Sequence, residues 1–294
     1  MNAITPDMTA RLNAIGKDVA GGRLVPFLGP GVLGSAESCP VPVSPRGLAA
    51  VLASQVGIPG RIRNNMWSAA QYIETKRHRQ TLEKMMAAMF ATTPEPGPVH
   101  RWLAGLETAP LIVDTWYDGT MARALEEAGR RDWGQVQGIT RNGEWREIWW
   151  KTFQRDGVEC ADEATGDWTT ILYKPHGSSV PVNNVLISDS DYVEVLTEID
   201  IQTPIPPMVK DLRTERGFLF LGCRFYDQML RTFARQIIKR SKGPHFAVLP
   251  PQTEEANMLT RMEQKFLIEA GITPLFVALD EAVPGLSGAT PASS

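Results

Sequence analysis

Residues 24–31 read Leu24-Val25-Pro26-Phe27-Leu28-Gly29-Pro30-Gly31, and this stretch decides the fold class. A short apolar run bounded by glycine reads as a buried strand rather than a helix. A buried strand running straight into a glycine turn opens a nucleotide-binding βα unit, because glycines let backbone amides approach a phosphate that a side chain would block. Taken alone, Gly-Pro-Gly is also an ordinary turn. The residues before it form a helix pattern. Thr5, Pro6 and Asp7 start it, and Met8, Leu12, Ile15 and Val19 give it one apolar face. Gly21 and Gly22 stop it.

Working outward, strand and helix signals keep alternating. Leu111–Val113, Ile171–Tyr173, Val185–Ile187, Phe218–Leu221, His245–Leu249 and Leu275–Leu279 read as strands. Asp118–Ala128 and Asp227–Arg240 read as helices, and Pro250, Pro251 and Thr253 open a long helix to Ala270. This order predicts an α/β protein: a Rossmann-like, doubly wound, mainly parallel sheet of about six strands, covered on both faces. Two stretches interrupt it. Residues 44–100 read as a smaller helical module, with Ser44-Pro45 capping one helix, a second holding Trp67 to His78 and a third running from Leu82 to Phe90. Residues 129–170 hold Trp133, Trp145, Trp149, Trp150 and Trp168 among Gly and Asp, and read as hairpins or a small lid. The expected organisation is a single domain over residues 1–280 and a small, polar, disordered tail over 281–294.

Composition narrows the function classes. The chain has 294 residues, with 30 Lys and Arg against 33 Asp and Glu. That balance disfavours a dedicated nucleic-acid binder. No uncharged apolar run approaches the roughly 18–20 residues of a membrane helix, and the start lacks a secretory pattern. Cys39, Cys160 and Cys223 are too scattered for a zinc site and suit a reducing cytoplasm. The expectation is a cytoplasmic protein with no metal. A protein partner and self-association stay open. A basic stripe, Arg231, Arg235 and Lys239, reads as a solvated helix face or a contact for an acidic group.

Three strand ends carry candidate chemistry. The first is the Gly29-Pro30-Gly31-Val32 turn. The second is Lys174-Pro175-His176-Gly177-Ser178, where an imidazole at the carboxyl end of a strand can exchange a proton near neutral pH. The third is Phe218 to Asp227, in which Gly222 could admit a ligand and Asp227 is most simply an N-cap. Each has a structural reading by itself, a histidine bonded in a turn for example.

The ordered segments GRLVPFLGPGV, PLIVDTWYDGTMARAL, YKPHGS with NNVLISDSDYVEVL, and FLFLGCRFYDQML resemble the bacterial SIR2-like proteins, sirtuin relatives without the zinc module. The resemblance covers about residues 21–240. It implies a Rossmann-like domain binding NAD, and either hydrolysis of NAD to nicotinamide and ADP-ribose or a catalytically silent descendant that binds NAD or ADP-ribose as a sensor or partner protein. It places Gly29, Pro30, Gly31 and Val32 at the phosphate-binding turn, Thr115, Trp116 and Tyr117 at the T-x-N-Y-D motif with Asp118 closing it, His176 at the catalytic histidine, and Gly222, Arg224 and Asp227 at the last motif. His176 and Asp118 are the catalytic candidates it implies. Two departures stand out. The family asparagine falls on Trp116, whose indole has one N–H and no acceptor. A family serine falls on Arg224, a cation that could grip a phosphate or close the pocket.

Overall fold

The computed structural model describes residues 5–34, 38–139, 148–193 and 205–288. Helix α1 (Pro6–Ala20) has Thr5 as its N-cap and buries Leu12, Ile15 and Val19. Strand β1 (Leu24–Leu28) follows, buried at every residue, and Pro30–Leu33 makes a 3-10 turn. The helical module then gives α2 (Pro45–Gln55), α3 (Met66–Arg77) and α4 (Arg79–Met89), followed by α5 (Pro98–Ala104). Ser44 caps α2 as the Ser-Pro pair predicts.

Next come β2 (Leu111–Asp114), α6 (Thr120–Glu127), β3 (Trp133–Gly138), β4 (Trp150–Gln154), β5 (Glu159–Cys160), β6 (Thr170–Lys174), β7 (Gly177–Ser178) and β8 (Asn184–Val185). The chain closes with α7 (Pro207–Arg213), β9 (Gly217–Leu221), α8 (Gln228–Ile238), β10 (His245–Leu249), α9 (Arg261–Glu269), β11 (Ile272–Phe276) and α10 (Leu279–Ser287).

The main sheet has the order β11-β10-β9-β1-β2-β6-β3-β4-β5. From β11 to β3 every pairing is parallel. Beside the expected strands, β3 adds one parallel strand and β4–β5 an antiparallel edge. The chain leaves β1 towards β2 and β6, then returns to β1's other side with β9 and continues outward. The switch point of the sheet therefore lies between β1 and β9, where open α/β sheets place ligands.

Strand geometry explains the two layers. Successive side chains alternate faces, so Leu24, Leu28, Leu219 and Leu221 join the core under α1 and α10. Val25, Phe27, Phe218 and Phe220 join the opposite core under α8 and α9. A third core unites the helical module with Trp116, Tyr117 and Tyr192, seating the module at the sheet's carboxyl edge.

Four expectations need correction. Val185–Ile187 is not a strand of the main sheet: only Asn184–Val185 pairs, antiparallel with Gly177–Ser178. The long helix to Ala270 is a 3-10 turn (Glu255–Asn257) and then α9, because Thr260 and Glu263 form a capping box that starts the helix late. The last strand sits three residues earlier than read, since an edge strand tolerates Pro274. The tail begins later than residue 281. Ala282, Val283 and Leu286 give α10 a buried face that packs with Leu12 and Ile15, and residues 289–294 lie outside the described residues. Of the two readings of the Trp-rich stretch, hairpins or a small lid, the hairpins hold: β3–β5 pair antiparallel and extend the main sheet, with Trp145 outside the described residues.

Candidate functional site

At the carboxyl ends of β1, β2, β6 and β9 the structure encloses a cavity of about 130 Å³, open on one side. Of the residues singled out in the sequence, Gly29, Pro30, Gly31, Thr115, Trp116, His176, Gly222 and Arg224 line it. Val32, Tyr117, Asp118 and Asp227 do not. Tyr117 is fully buried and its hydroxyl donates to the Leu186 carbonyl. Asp118 accepts from the Thr120 amide at 2.8 Å and anchors the start of α6. Asp227 is the N-cap of α8, accepting from the Met229 amide at 2.8 Å.

The glycine turn is closed on itself. The Gly29 amide donates to the Leu221 carbonyl and the Gly31 amide to the Gly222 carbonyl, both at 2.9 Å. Val32 donates back to the Gly29 carbonyl at 3.2 Å, and Pro30 has no N–H. The glycines are required by this contact. A Cβ on Gly31 would sit 2.8 Å from the Gly222 carbonyl oxygen, and one on Gly222, whose φ is +64°, would sit 2.4 Å from the Val32 nitrogen. The turn therefore splices β1 to β9, and its amides are committed.

The opposite wall is built differently. His176 is 6% exposed, and its Nδ1 lies 3.1 Å from the Thr115 carbonyl oxygen. A carbonyl only accepts, so Nδ1 carries the proton and Nε2 is a bare acceptor. Nε2 has no partner among the described residues. Burial lowers the imidazole pKa to about 4, so the ring is neutral at pH 7. Phe233 packs edge-on against it with ring centres 4.5 Å apart, as does Tyr192 at 5.3 Å.

Beneath His176 lies a buried charge pair. The Lys174 ammonium sits 2.7 Å from Asp114 and 2.8 Å from the Asp118 carbonyl. Asp114 in turn accepts from the Trp116 amide at 3.1 Å. This network fixes the loop that follows β2. Burial raises the Asp114 carboxyl to about 6 against the pull of Lys174.

The two departures also resolve. Trp116 donates its only N–H to the Pro42 carbonyl at 2.7 Å and packs against Phe90 and Tyr117. Arg224 is held by Glu263, with contacts of 2.9 and 3.2 Å. Burial pushes Glu263 up, but Arg224 and the Thr260 and Phe225 amides outweigh it and hold the carboxyl below its usual value. Arg224 is thus a wall brace.

Sequence reasoning missed the aromatic wall contributed by Trp67, Tyr192, Phe225, Tyr226 and Phe233. Tyr226 keeps a shielded hydroxyl without a hydrogen bond among the described residues, as His176 keeps Nε2, whereas the Tyr192 hydroxyl faces the Trp67 indole and the Tyr117 hydroxyl. Signals for it lay in Phe218–Asp227, which holds Phe225 and Tyr226, and in the segment NNVLISDSDYVEVL, which holds Tyr192.

The fold, with its cavity at the switch point, defines a doubly wound, Rossmann-like α/β protein. Residues 110–275 match the SIR2-like domain model, more than half of the chain, and the chain belongs to that family. The match begins after the glycine turn and helical module and runs beyond the sequence resemblance, into β11. No curated protein matches the sequence.

Proposed function

We propose that this SIR2-like chain binds NAD, with the nicotinamide–ribose end in the switch-point cavity, and that it binds the dinucleotide better than it cleaves it. The observation that carries the reading is His176: buried, neutral, oriented by the Thr115 carbonyl, and left with an unpaired Nε2 in a cavity wall. Such an acceptor suits a ribose hydroxyl. The cavity's size supports a ring rather than a whole dinucleotide inside, since an apolar cavity of about 150 Å³ takes a benzene-sized ligand. The adenine half would lie outside.

Weak cleavage follows from Trp116. Its N–H is spent on Pro42 and it offers no acceptor, so it cannot hold a water or a ribose hydroxyl as the family asparagine would. Loss of a positioned polar group of that kind removes about 10²–10³ of rate.

The test combines calorimetric titration with chromatographic assay of nicotinamide. Wild-type protein is expected to bind NAD and release little nicotinamide, and His176→Ala to bind roughly tenfold more weakly. Trp116→Asn is expected to raise nicotinamide release at least tenfold once thermal melting shows that it is folded. Absence of any NAD binding by the wild type overturns the proposal. The neutral His176 also favours a second reading, hydrolysis by the chain as it stands. Rapid wild-type release, abolished in His176→Ala, would establish that instead.

A further inference from the structure

We propose that the groove between α8 and α9 docks a partner protein, and that its occupant is a short acidic helical segment carrying an apolar anchor. The starting point is the basic stripe of Arg231, Arg235 and Lys239. The structure parts it: α8 ends at Ile238, so Lys239 lies beyond the helix and does not line the groove. Arg231 and Arg235 do line it, joined by Lys265 of α9. The groove measures about 360 Å³ and shares no lining residue with the switch-point cavity.

Two observations select the occupant. The first is charge. The carboxylate that lines the groove is Glu269, and it answers both Arg235 at 2.7 Å and Lys265 at 3.6 Å. Arg231 donates to the Phe225 and Tyr226 carbonyls, both at 2.7 Å, and these are neutral acceptors. Asp227 offsets part of its charge from outside the groove. Three cations against one carboxylate leave a positive excess on a chain whose net charge is −3. The second observation is apolar surface within the same groove. Met262 is 54% exposed there. The Arg235 guanidinium lies 5.3 Å from the centre of the Phe266 ring, a weakly hydrated arrangement that suits a carboxylate at its N–H edge. Arginine and methionine are the residues that protein interfaces favour.

The dimensions fit a helix. α8 and α9 have 11 and 9 residues, so the groove runs about 15 Å, room for two to three turns of a partner helix. Carboxylates on either side of a leucine-like side chain would meet Arg231, Arg235 and Lys265 while the apolar group covers Met262. A nucleic-acid backbone brings nothing to cover Met262, and the chain's net charge repels a polyanion.

The experiment follows the fluorescence anisotropy of a labelled helical peptide of about twelve residues, with Glu flanking Leu at i, i+4, as full-length protein is added. Two further probes are the same peptide with Gln in place of Glu and a labelled single-stranded oligonucleotide. The acidic peptide is expected to bind saturably, at least fivefold more tightly than either. Arg235→Gln combined with Lys265→Gln should weaken it at least fivefold, and Met262→Ser about threefold. All three side chains are exposed, so these variants should melt as the wild type does. Lys17→Gln combined with Lys84→Gln removes as much charge from exposed positions on α1 and α4 and should leave the affinity within about twofold. Absence of saturable binding, equal binding of the Gln peptide or the oligonucleotide, full affinity in the groove variants, or an equal loss in the Lys17 and Lys84 variant would each overturn the proposal. The NAD reading stands or falls separately, since groove and cavity have no lining residue in common.

Discussion

The two sides of the cavity are held by opposite means. On one side, β1 and β9 end in glycines whose amides and carbonyls bond one another. On the other, β2 and β6 end in Asp114, Lys174 and His176, where a buried ion pair sets the loop and an imidazole keeps an unpaired nitrogen. The first side is saturated backbone and acts as a splice. The second is charged, titratable and chemically unfinished. Glycines at a strand end thus report that two backbones meet closely, and whether a ligand shares that approach depends on where the amides point their bonds.

The comparison breaks most visibly at Lys174. Lys174 is 1% exposed and Asp114 4%, and removing one member leaves a buried charge uncompensated. Lys174→Met is expected to cost about 3–5 kcal/mol in urea unfolding. The same change made with Asp114→Asn should cost clearly less than the sum of the single changes, because neither charge remains. A loss under about 1 kcal/mol for Lys174→Met would mean that this side is not built on the pair.

On the glycine side the expected effect is somewhat smaller and insensitive to charge. Gly222→Ala places a Cβ 2.4 Å from the Val32 nitrogen at a φ of +64°. Left-handed strain of about 1–2 kcal/mol adds to overpacking of about 1–3 kcal/mol, giving a loss of about 3 kcal/mol. A neutral result by thermal and urea melting would show that β1 and β9 can part there, and would restore the turn as a place for phosphate.

The same contrast explains what could be read from the chain. The sheet was legible because its strands are short apolar runs, two of them ending in glycine, and with the run Val185–Ile187 excepted the parallel strands read along the chain occupy the order β6-β2-β1-β9-β10-β11. His176 was legible because a histidine just past a strand end lies at the carboxyl rim. The saturation of the glycine turn was not, since hydrogen-bond partners 190 residues apart leave no local pattern. Trp67 read only as the start of a helix in the module, and its place at the cavity follows from how the module docks. The late start of α9 was available in Thr260-x-x-Glu263, a capping box that the double proline upstream overshadowed.

The smallest expected effect is the most selective, because only one side of the cavity titrates in mild acid. Burial lowers His176 to about 4, and it lowers His100, whose Nδ1 accepts from the Gly97 amide at 3.2 Å, to about 4 as well. Unfolded histidine titrates near 6.5, so between 6.5 and 4 the unfolded chain binds more protons than the folded one at both positions. Their stabilisation is complete above 6.5 and is lost as pH falls. Asp114 works the other way: raised to about 6 by burial, it is protonated earlier in the folded state, and its contribution is lost as pH rises from 3.8 through 6. Burial lowers His245 in the same direction and raises Asp227 in the other, so three histidines stand against two carboxyls and stability falls towards acid. Urea unfolding at pH 6.0, 5.5 and 5.0 should show that fall, and His176→Gln should make it clearly shallower by removing one histidine from the balance. An unchanged slope in His176→Gln would mean that the imidazole is not held neutral by its surroundings, and the acceptor on which the binding site depends would be lost with it.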